Sequence, residues 1–236
     1  MWPFNQQKSE YLTISLTPQN LVCTLIDKSQ NKKNQINIKA HERTTLKHLE
    51  FSQSVLFNPT RIKNLITTFI KKNHIKKNIL VALSLSGPKI FEKVVQLNSP
   101  SPKLQDFTFP ELQNLNWSSV YLCPSERDGF DFLICGMKPE YLFSYQLLAL
   151  SCQLNLKTIT TGGHAQLHLY KYLNGTKFRQ SQLSLDMISH RYNLNSLVTY
   201  DKIINILNTE QIPTVDLQKE YLFLSANLGL FVSEGK

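Results

Sequence analysis

A chain of 236 residues, 42% hydrophobic and 18% charged, is long enough to bury roughly 70% of its unfolded surface without a staple. It is too apolar to be a disordered segment. Its net charge of +9 directs attention to anionic partners or surfaces.

The four cysteines, Cys23, Cys123, Cys135 and Cys152, are widely spaced and form no CxxC pair. That argues against a disulfide framework and for a reducing compartment. The opening MWPFNQQKSE has no basic segment followed by an apolar one, so it does not read as a signal peptide. No window offers about 18 uncharged apolar residues. The longest oily run, Tyr141 to Leu154, is interrupted by Ser144, Gln146 and Ser151 and predicts a buried helix.

In chain order, YLTISL (11–16) and NLVCTLID (20–27) predict two strands joined by the turn Thr17-Pro18-Gln19-Asn20. A third strand over 36–46 follows the turn-forming SQNKKN, with Ile36, Ile38 and Ala40 alternating. Asn58-Pro59 predicts a capped helix start. After it, Ile62, Leu65, Ile66, Phe69 and Ile70 fall three and four apart on one face. NILVALSLS (78–86) reads as a strand covered on both sides. Gly87-Pro88 then turns the chain into IFEKVVQL (90–97).

The segment 98–118 is punctuated by Pro100, Pro102 and Pro110 and predicts a loop or linker. WSSVYLC (117–123) and GFDFLICGM (129–137) predict strands around a PSERDG turn. Pro139 opens a helix with Leu142, Tyr145, Leu148, Ala149 and Cys152 on one side. LNLKTIT (154–160) predicts a strand, and Gly162-Gly163 leads into a helix ended by Asn174-Gly175. SQLSLDMISHRYNL is compatible with strand or helix. DKIINILN (201–208) and Lys219 to Val232 predict helices, the last with a strip of Ser225, Ala226 and Gly229 that would lie close against a sheet.

Catalytic signatures are missing. Thr161-Gly162-Gly163-His164 lacks the Lys-Ser/Thr of a P-loop and the third glycine of a dinucleotide fingerprint, and reads as a strand-to-helix turn. His164 and His168 share a helix face without a third ligand. Ser125 to Asp128 suits a turn. No nucleophile elbow or cysteine-histidine pair is visible. Arg61, Lys63, Lys71, Lys72, Lys76 and Lys77 form a basic run with no acidic residue between 61 and 77. It is compatible with a solvated helix face, with attraction to an anionic leaflet, or with nucleic acid. It lacks the interleaved aromatics and motifs of a nucleic-acid reader.

Four segments, in order, resemble the PilM family of type IV pilus assembly proteins, and within it the glycine-poor branch containing HofM and the competence protein ComA. They are YLTISLTPQNLVCTLID, KNILVALSLSGPKIFEKVVQLNSP, FLICGMKPEYLFSYQLLALSCQLNLKTITTGGHAQLHLYKYL and FLSANLGLFVSEGK. The last carries the closing pattern as Ala226, Leu228, Gly229 and Leu230.

The resemblance implies an α/β, actin-like (ribonuclease-H-like) ATPase fold, reduced. Residues 1–97 would begin lobe 1, 98–137 form a small inserted subdomain, and 138–236 supply the rest of lobe 1 with a truncated second lobe. Where the family has an acidic residue and a glycine in its first phosphate loop, this chain has Ser15, Leu16, Thr17 and Pro18. Pro18 also removes a backbone donor. No ATP or other cofactor is therefore expected, no catalytic residue and no metal site.

The implied function is a non-catalytic scaffold of a type IV pilus or competence DNA-uptake machine, cytoplasmic and peripheral to the inner membrane. It would dock the N-terminal peptide of a PilN-like inner-membrane protein and meet other pilus assembly components, with no direct nucleic acid. Lys89, Phe91 and Tyr145 are the candidate peptide-binding residues. The alternatives are a GspL-like cytoplasmic domain of type II secretion and an active actin-like ATPase.

Overall fold

The computed structural model of the chain describes residues 10–28, 35–46, 51–52, 55–56, 59–125, 128–175, 178–189, 193–194, 197–208 and 216–234. Its first three strands, β1 (Glu10–Leu16), β2 (Asn20–Lys28) and β3 (Ile36–Thr45), form an antiparallel meander. The β1–β2 turn is closed by reciprocal backbone bonds between Thr17 and Asn20. The Thr17 hydroxyl also accepts from the Gln19 and Asn20 amides, at 3.3 and 3.0 Å, the local bonding that makes threonine a turn residue.

After the short strands β4 (Phe51–Ser52) and β5 (Val55–Leu56), helix α1 (Pro59–Lys72) buries Ile62, Ile66 and Phe69. This is the face the spacing predicts, with Lys71 and Lys72 in the last turn, where the helix dipole favours cations. The expected cap, Asn58, lies outside the described residues.

Strand β6 (Leu80–Leu85) runs parallel to β1, and β10 (Asn155–Thr161) parallel to β6, giving a five-stranded sheet in the order β10-β6-β1-β2-β3. Three antiparallel strands followed by two parallel ones is the ribonuclease-H-type order. Helix α2 (Pro139–Ser151) precedes β10, and α3 (Gly162–Asn174) follows it.

Between β6 and α2 the chain inserts a three-stranded antiparallel sheet, β7 (Phe91–Leu97), β8 (Asn116–Pro124) and β9 (Phe130–Met137), in the order β7-β9-β8. Two single 3-10 turns, Leu104–Asp106 and Pro110–Leu112, lie in the proline-punctuated segment. The small sheet begins at Phe91, earlier than the boundary expected at residue 98, because β7 pairs with β9 and not with the central sheet.

Beyond α3 come α4 (Gln180–Ser189), which makes the SQLSLDMIS part of the ambiguous SQLSLDMISHRYNL helix, then α5 (Tyr200–Ile204) and α6 (Leu217–Glu234). The helix expected over 201–208 is shorter, ending in a turn from which Leu207 bridges to Ile36 of β3. Among the described residues no further sheet follows α3.

The central sheet is covered on both faces. On one side Leu12, Ile14, Leu16, Leu21, Cys23, Leu25, Val81, Leu83 and Leu85 pack with α1 and α2. On the other, Tyr11 and Ile26 pack with Leu167, Leu169 and Tyr170 of α3 and Leu224, Leu228 and Phe231 of α6. Tyr11 meets Phe231 edge to face at 5.6 Å, worth about 1 kcal/mol beyond its buried area. The strip on α6 meets a helix as well as the sheet. A Cβ at Gly229 would overlap the Ala165 carbonyl of α3, and Gln166 of α3 donates to Ser225.

Candidate functional site

In open α/β sheets ligands gather at the carboxyl ends of the parallel strands, here Leu16, Leu85 and Thr161. A phosphate cradle there needs uncommitted backbone N–H groups. In this chain several of those groups are engaged internally. The Ser86 amide donates to Leu16 O at 3.0 Å, and Thr17 and Asn20 close their own turn.

At the start of α3, Thr161 caps the His164 amide at 3.4 Å, and the Gly163 amide donates to Glu92 Oε2 at 2.9 Å. A Cβ at Gly163 would overlap the Glu92 carboxylate, and one at Gly162 would overlap the Ser86 hydroxyl. The glycine pair therefore exists to let β7 and the β6 end approach a helix terminus, and the anion placed there is the chain's own. Burial pushes the Glu92 carboxyl above its ordinary range, opposed by bonds from Thr161 and Gly163.

The face of the sheet under α6 carries a chain of polar contacts. Ser84 Oγ donates to Ser15 Oγ at 2.9 Å, and Ser15 donates in turn to Asn227 Oδ1. Asn227 Nδ2 donates to Thr24 Oγ1 at 2.7 Å and to Val22 O at 3.3 Å. Thr24 Oγ1 meets His41 Nδ1 at 2.9 Å, and His41 Nε2 lies 3.5 Å from Glu220, which Arg43 grips at 2.9 Å. Ser15, one of the residues in the position of the first phosphate loop, is thus committed to holding α6.

The three candidate docking residues separate. Lys89 is exposed in the turn before β7, and Phe91 is half-buried at the start of that strand. Between them Ile90 is buried with the central-sheet core, whereas Phe91 packs on the outer face of the small sheet. Lys89 to Phe91 is the joint between the two sheets. Tyr145 is 1% exposed and packs beneath α2 with Leu148 and Met137. It is a core side chain and lines no open groove, because its place on α2 faces the sheet.

What the sequence reading missed beside Phe91 is Trp117. Phe91 and Trp117 lie in register on either side of Gly136. A Cβ on Gly136 would crowd that of Trp117 at 2.9 Å. Trp117 meets Phe107 at a tilt, 5.1 Å between ring centroids, and lines an open depression of about 500 Å³ with Pro102, Phe107, Leu115, Asn116 and Ser118. Two aromatics flanking a glycine on an edge-accessible sheet offer an apolar seat for an extended peptide.

A second exposed apolar feature lies on α2. The oily run expected to be a buried helix is buried on one side only: Phe143, Leu147 and Leu150 are 59%, 47% and 70% exposed. Beside them a groove of about 380 Å³ runs between α1 and α2.

All four cysteines are buried with free thiols. Among the described residues no cluster of three or more metal-ligating side chains occurs. Among those residues no helix is long and apolar enough to cross a membrane.

No protein-family model and no curated protein matches the sequence. Among solved structures the chain is similar to a chain of the PilM-PilN type IV pilus biogenesis complex. The TM-score is 0.52 at 13% identity, over 69% of this chain and 50% of that one. It therefore spans about half the length of that relative.

Weaker likenesses are to the cytoplasmic domain of EpsL, an inner-membrane component of the Vibrio cholerae type II secretion system (TM-score 0.41, 12% identity, 66% and 57% covered), and to Thermus thermophilus RuvC (TM-score 0.42, 8% identity, 96% of both chains). At 13% identity the likeness to the PilM-PilN chain speaks to fold alone, and it agrees with the strand order β10-β6-β1-β2-β3. The chain has the actin-like, ribonuclease-H-like fold.

Proposed function

We propose that this chain is a non-catalytic scaffold of a type IV pilus or competence DNA-uptake machine, acting at the cytoplasmic face of the inner membrane. It docks the N-terminal peptide of a PilN-like inner-membrane protein. The observation that carries the reading is the shared fold with a chain of the PilM-PilN complex. The exposed joint at Lys89 and Phe91, with Trp117 across Gly136, supplies a surface suited to a short extended segment.

ATP, which the fold implies, does not fit the strand ends. The Glu92 carboxylate occupies the α3 N-terminus, and the neighbouring amides are bonded to the chain itself. A triphosphate there would face a like charge and compete with the bonds already made by the Thr17, Asn20, Ser86 and Gly163 amides.

The test is calorimetry on the full chain with two titrants. The N-terminal peptide of a PilN-like inner-membrane protein should bind saturably, and magnesium-ATP should give no heat of binding. Tight magnesium-dependent nucleotide binding would overturn the non-catalytic half of the proposal. A peptide that fails to bind would overturn the docking half.

A further inference from the structure

The two larger sheets end in four edge strands, β3 and β10 in the central sheet, β7 and β8 in the small one. An edge strand presents a row of unpaired N–H and C=O groups, and proteins blunt such rows with charged side chains, prolines or bulges. Three of the four edges carry charge. β3 has Lys39, Glu42 and Arg43, β7 has Glu92 and Lys93, and β10 has Lys157.

β8 reads NWSSVYLCP and holds no charged residue. Its bulge lies between Tyr121 and Cys123, and Ser184 of α4 donates to Pro124 O at 3.3 Å. Both protections therefore sit at the far end of the strand. From Asn116 to Tyr121, among the described residues, no backbone hydrogen bond is made except to β9. Asn116, Ser118 and Ser119 are exposed.

The side chains decide what can lie along this edge. Trp117 and Tyr121 belong to the outer face with Phe107, Phe130 and Phe132, and alternation puts Ser119 between them on that face. Val120 packs on the inner face. In an antiparallel pairing of two β8 strands centred on Ser119, Ser119 faces its own copy, Ser118 faces Val120, and Trp117 faces Tyr121. Every side chain then lies opposite one of its own face. Tyr121 of the second copy lies over the open depression that runs along Asn116 to Ser119 beside Trp117, and cross-strand aromatic pairs of this kind stabilise a sheet.

Charge points to the same occupant. At a two-fold axis a residue meets itself, so a charged side chain would oppose its like, whereas a different partner could be matched with the opposite charge. The bare β8 edge suits the symmetric case. Since β7, the other edge of the small sheet, is charged, one such pairing uses up the bare edge and closes the assembly at two copies.

We propose that β8 pairs antiparallel with β8 of a second copy of this chain, centred on Ser119, joining two three-stranded sheets into one. The pairing uses the backbone edge beyond Trp117 and not the face between Trp117 and Phe91. Its test is independent of the function proposed above.

The experiment is sedimentation equilibrium of the full chain from about 10 µM to about 500 µM. Six paired residues a side make a small interface, so a reversible dimer with a Kd of about 100 µM is expected. Ser119→Lys and Ser119→Glu, both at an exposed position and checked for unchanged circular dichroism, should each weaken dimerisation at least about tenfold by setting like charges opposite each other. An equimolar mixture of the two variants should dimerise at least as tightly as the parent, because the opposed charges are then unlike.

A parent chain that stays monomeric throughout the range overturns the proposal. So does a dimer that either variant leaves intact, which would place the interface elsewhere. A mixture that stays as weak as the single variants would remove the two-fold register and overturn it equally.

Discussion

Asn227 of α6 donates to Thr24 of β2 over 2.7 Å, a bond that joins residues far apart in the chain and ties the last helix to the centre of the sheet. The Asn227 side chain is fully buried and also engages Ser15 and the Val22 carbonyl. Removing it leaves buried hydroxyls without their partner, at about 1–3 kcal/mol for each unsatisfied group. Asn227→Leu is expected to lower unfolding free energy by about 3 kcal/mol in urea, although it adds apolar bulk. An unchanged midpoint would show that α6 is held by packing alone.

Gly229 makes the complementary point about α6. Its missing side chain lets the helix lie directly on the Ala165 carbonyl of α3, and backbone cannot step aside as a flexible side chain can. Gly229→Ala removes a helix-disfavouring residue, worth about 1 kcal/mol in its favour. It also forces the two helices apart, and overpacking of this kind costs about 3 kcal/mol. The net expectation is destabilisation by roughly 2 kcal/mol, read as a lowered melting temperature. Stabilisation would mean that the α3–α6 contact is soft.

The acid limb of stability should belong partly to His164. Burial, with His168 and Lys171 nearby, depresses its pKa from 6.5 to about 4, while Thr160 Oγ1 contacts its Nδ1 at 2.8 Å. Between those values the unfolded chain takes up a proton that the folded chain refuses. The stability is therefore complete above about pH 6.5 and drains away as pH falls towards 4. The shift sets an upper bound of about 3 kcal/mol. Burial lowers the His41 pKa too, so part of the limb persists without His164. Urea titrations at several pH values should give His164→Gln a visibly flatter profile than the parent chain. Parallel profiles would remove His164 from the account.

The order of elements was legible because local signals were strong: proline and glycine punctuation, period-two strands and a period-3.6 face on α1. Three features were not. The alternation Ile36, Ile38, Ala40 reads as one face, but a bulge against Leu25 and Ile26 sends Ala40 to the α1–α2 side and brings His41 and Arg43 under α6. A bulge adds a residue without a compositional mark. Tyr145 and Leu147 of α2 are both large and apolar. The helix spacing already sets Tyr145 on one side with Leu148 and Ala149, the side that is buried, whereas its place among the docking candidates rests on the family resemblance, which carries no side-chain direction. The role of Glu92 at the α3 terminus was equally hidden, since it joins β7 to a glycine pair distant in sequence.

That contrast gives the sharpest test of the peptide-docking surface. Lys89 is exposed, Phe91 is half-buried at the start of β7, and Trp117 lies in register with it across Gly136, whereas Tyr145 is sealed beneath α2. A peptide seated at the joint of the two sheets would contact the first three and not the fourth. Lys89→Glu, Phe91→Ser and Trp117→Ser are each expected to weaken binding of the PilN-like N-terminal peptide about tenfold, as loss of an aromatic or cationic anchor does at small interfaces. Tyr145→Phe should leave the affinity unchanged, its effect being confined to stability because the ring contacts only the core. Calorimetric titration of the four variants separates the cases. A peptide affinity that falls with Tyr145→Phe and ignores Phe91→Ser would place the docking surface beneath α2 and require that helix to move.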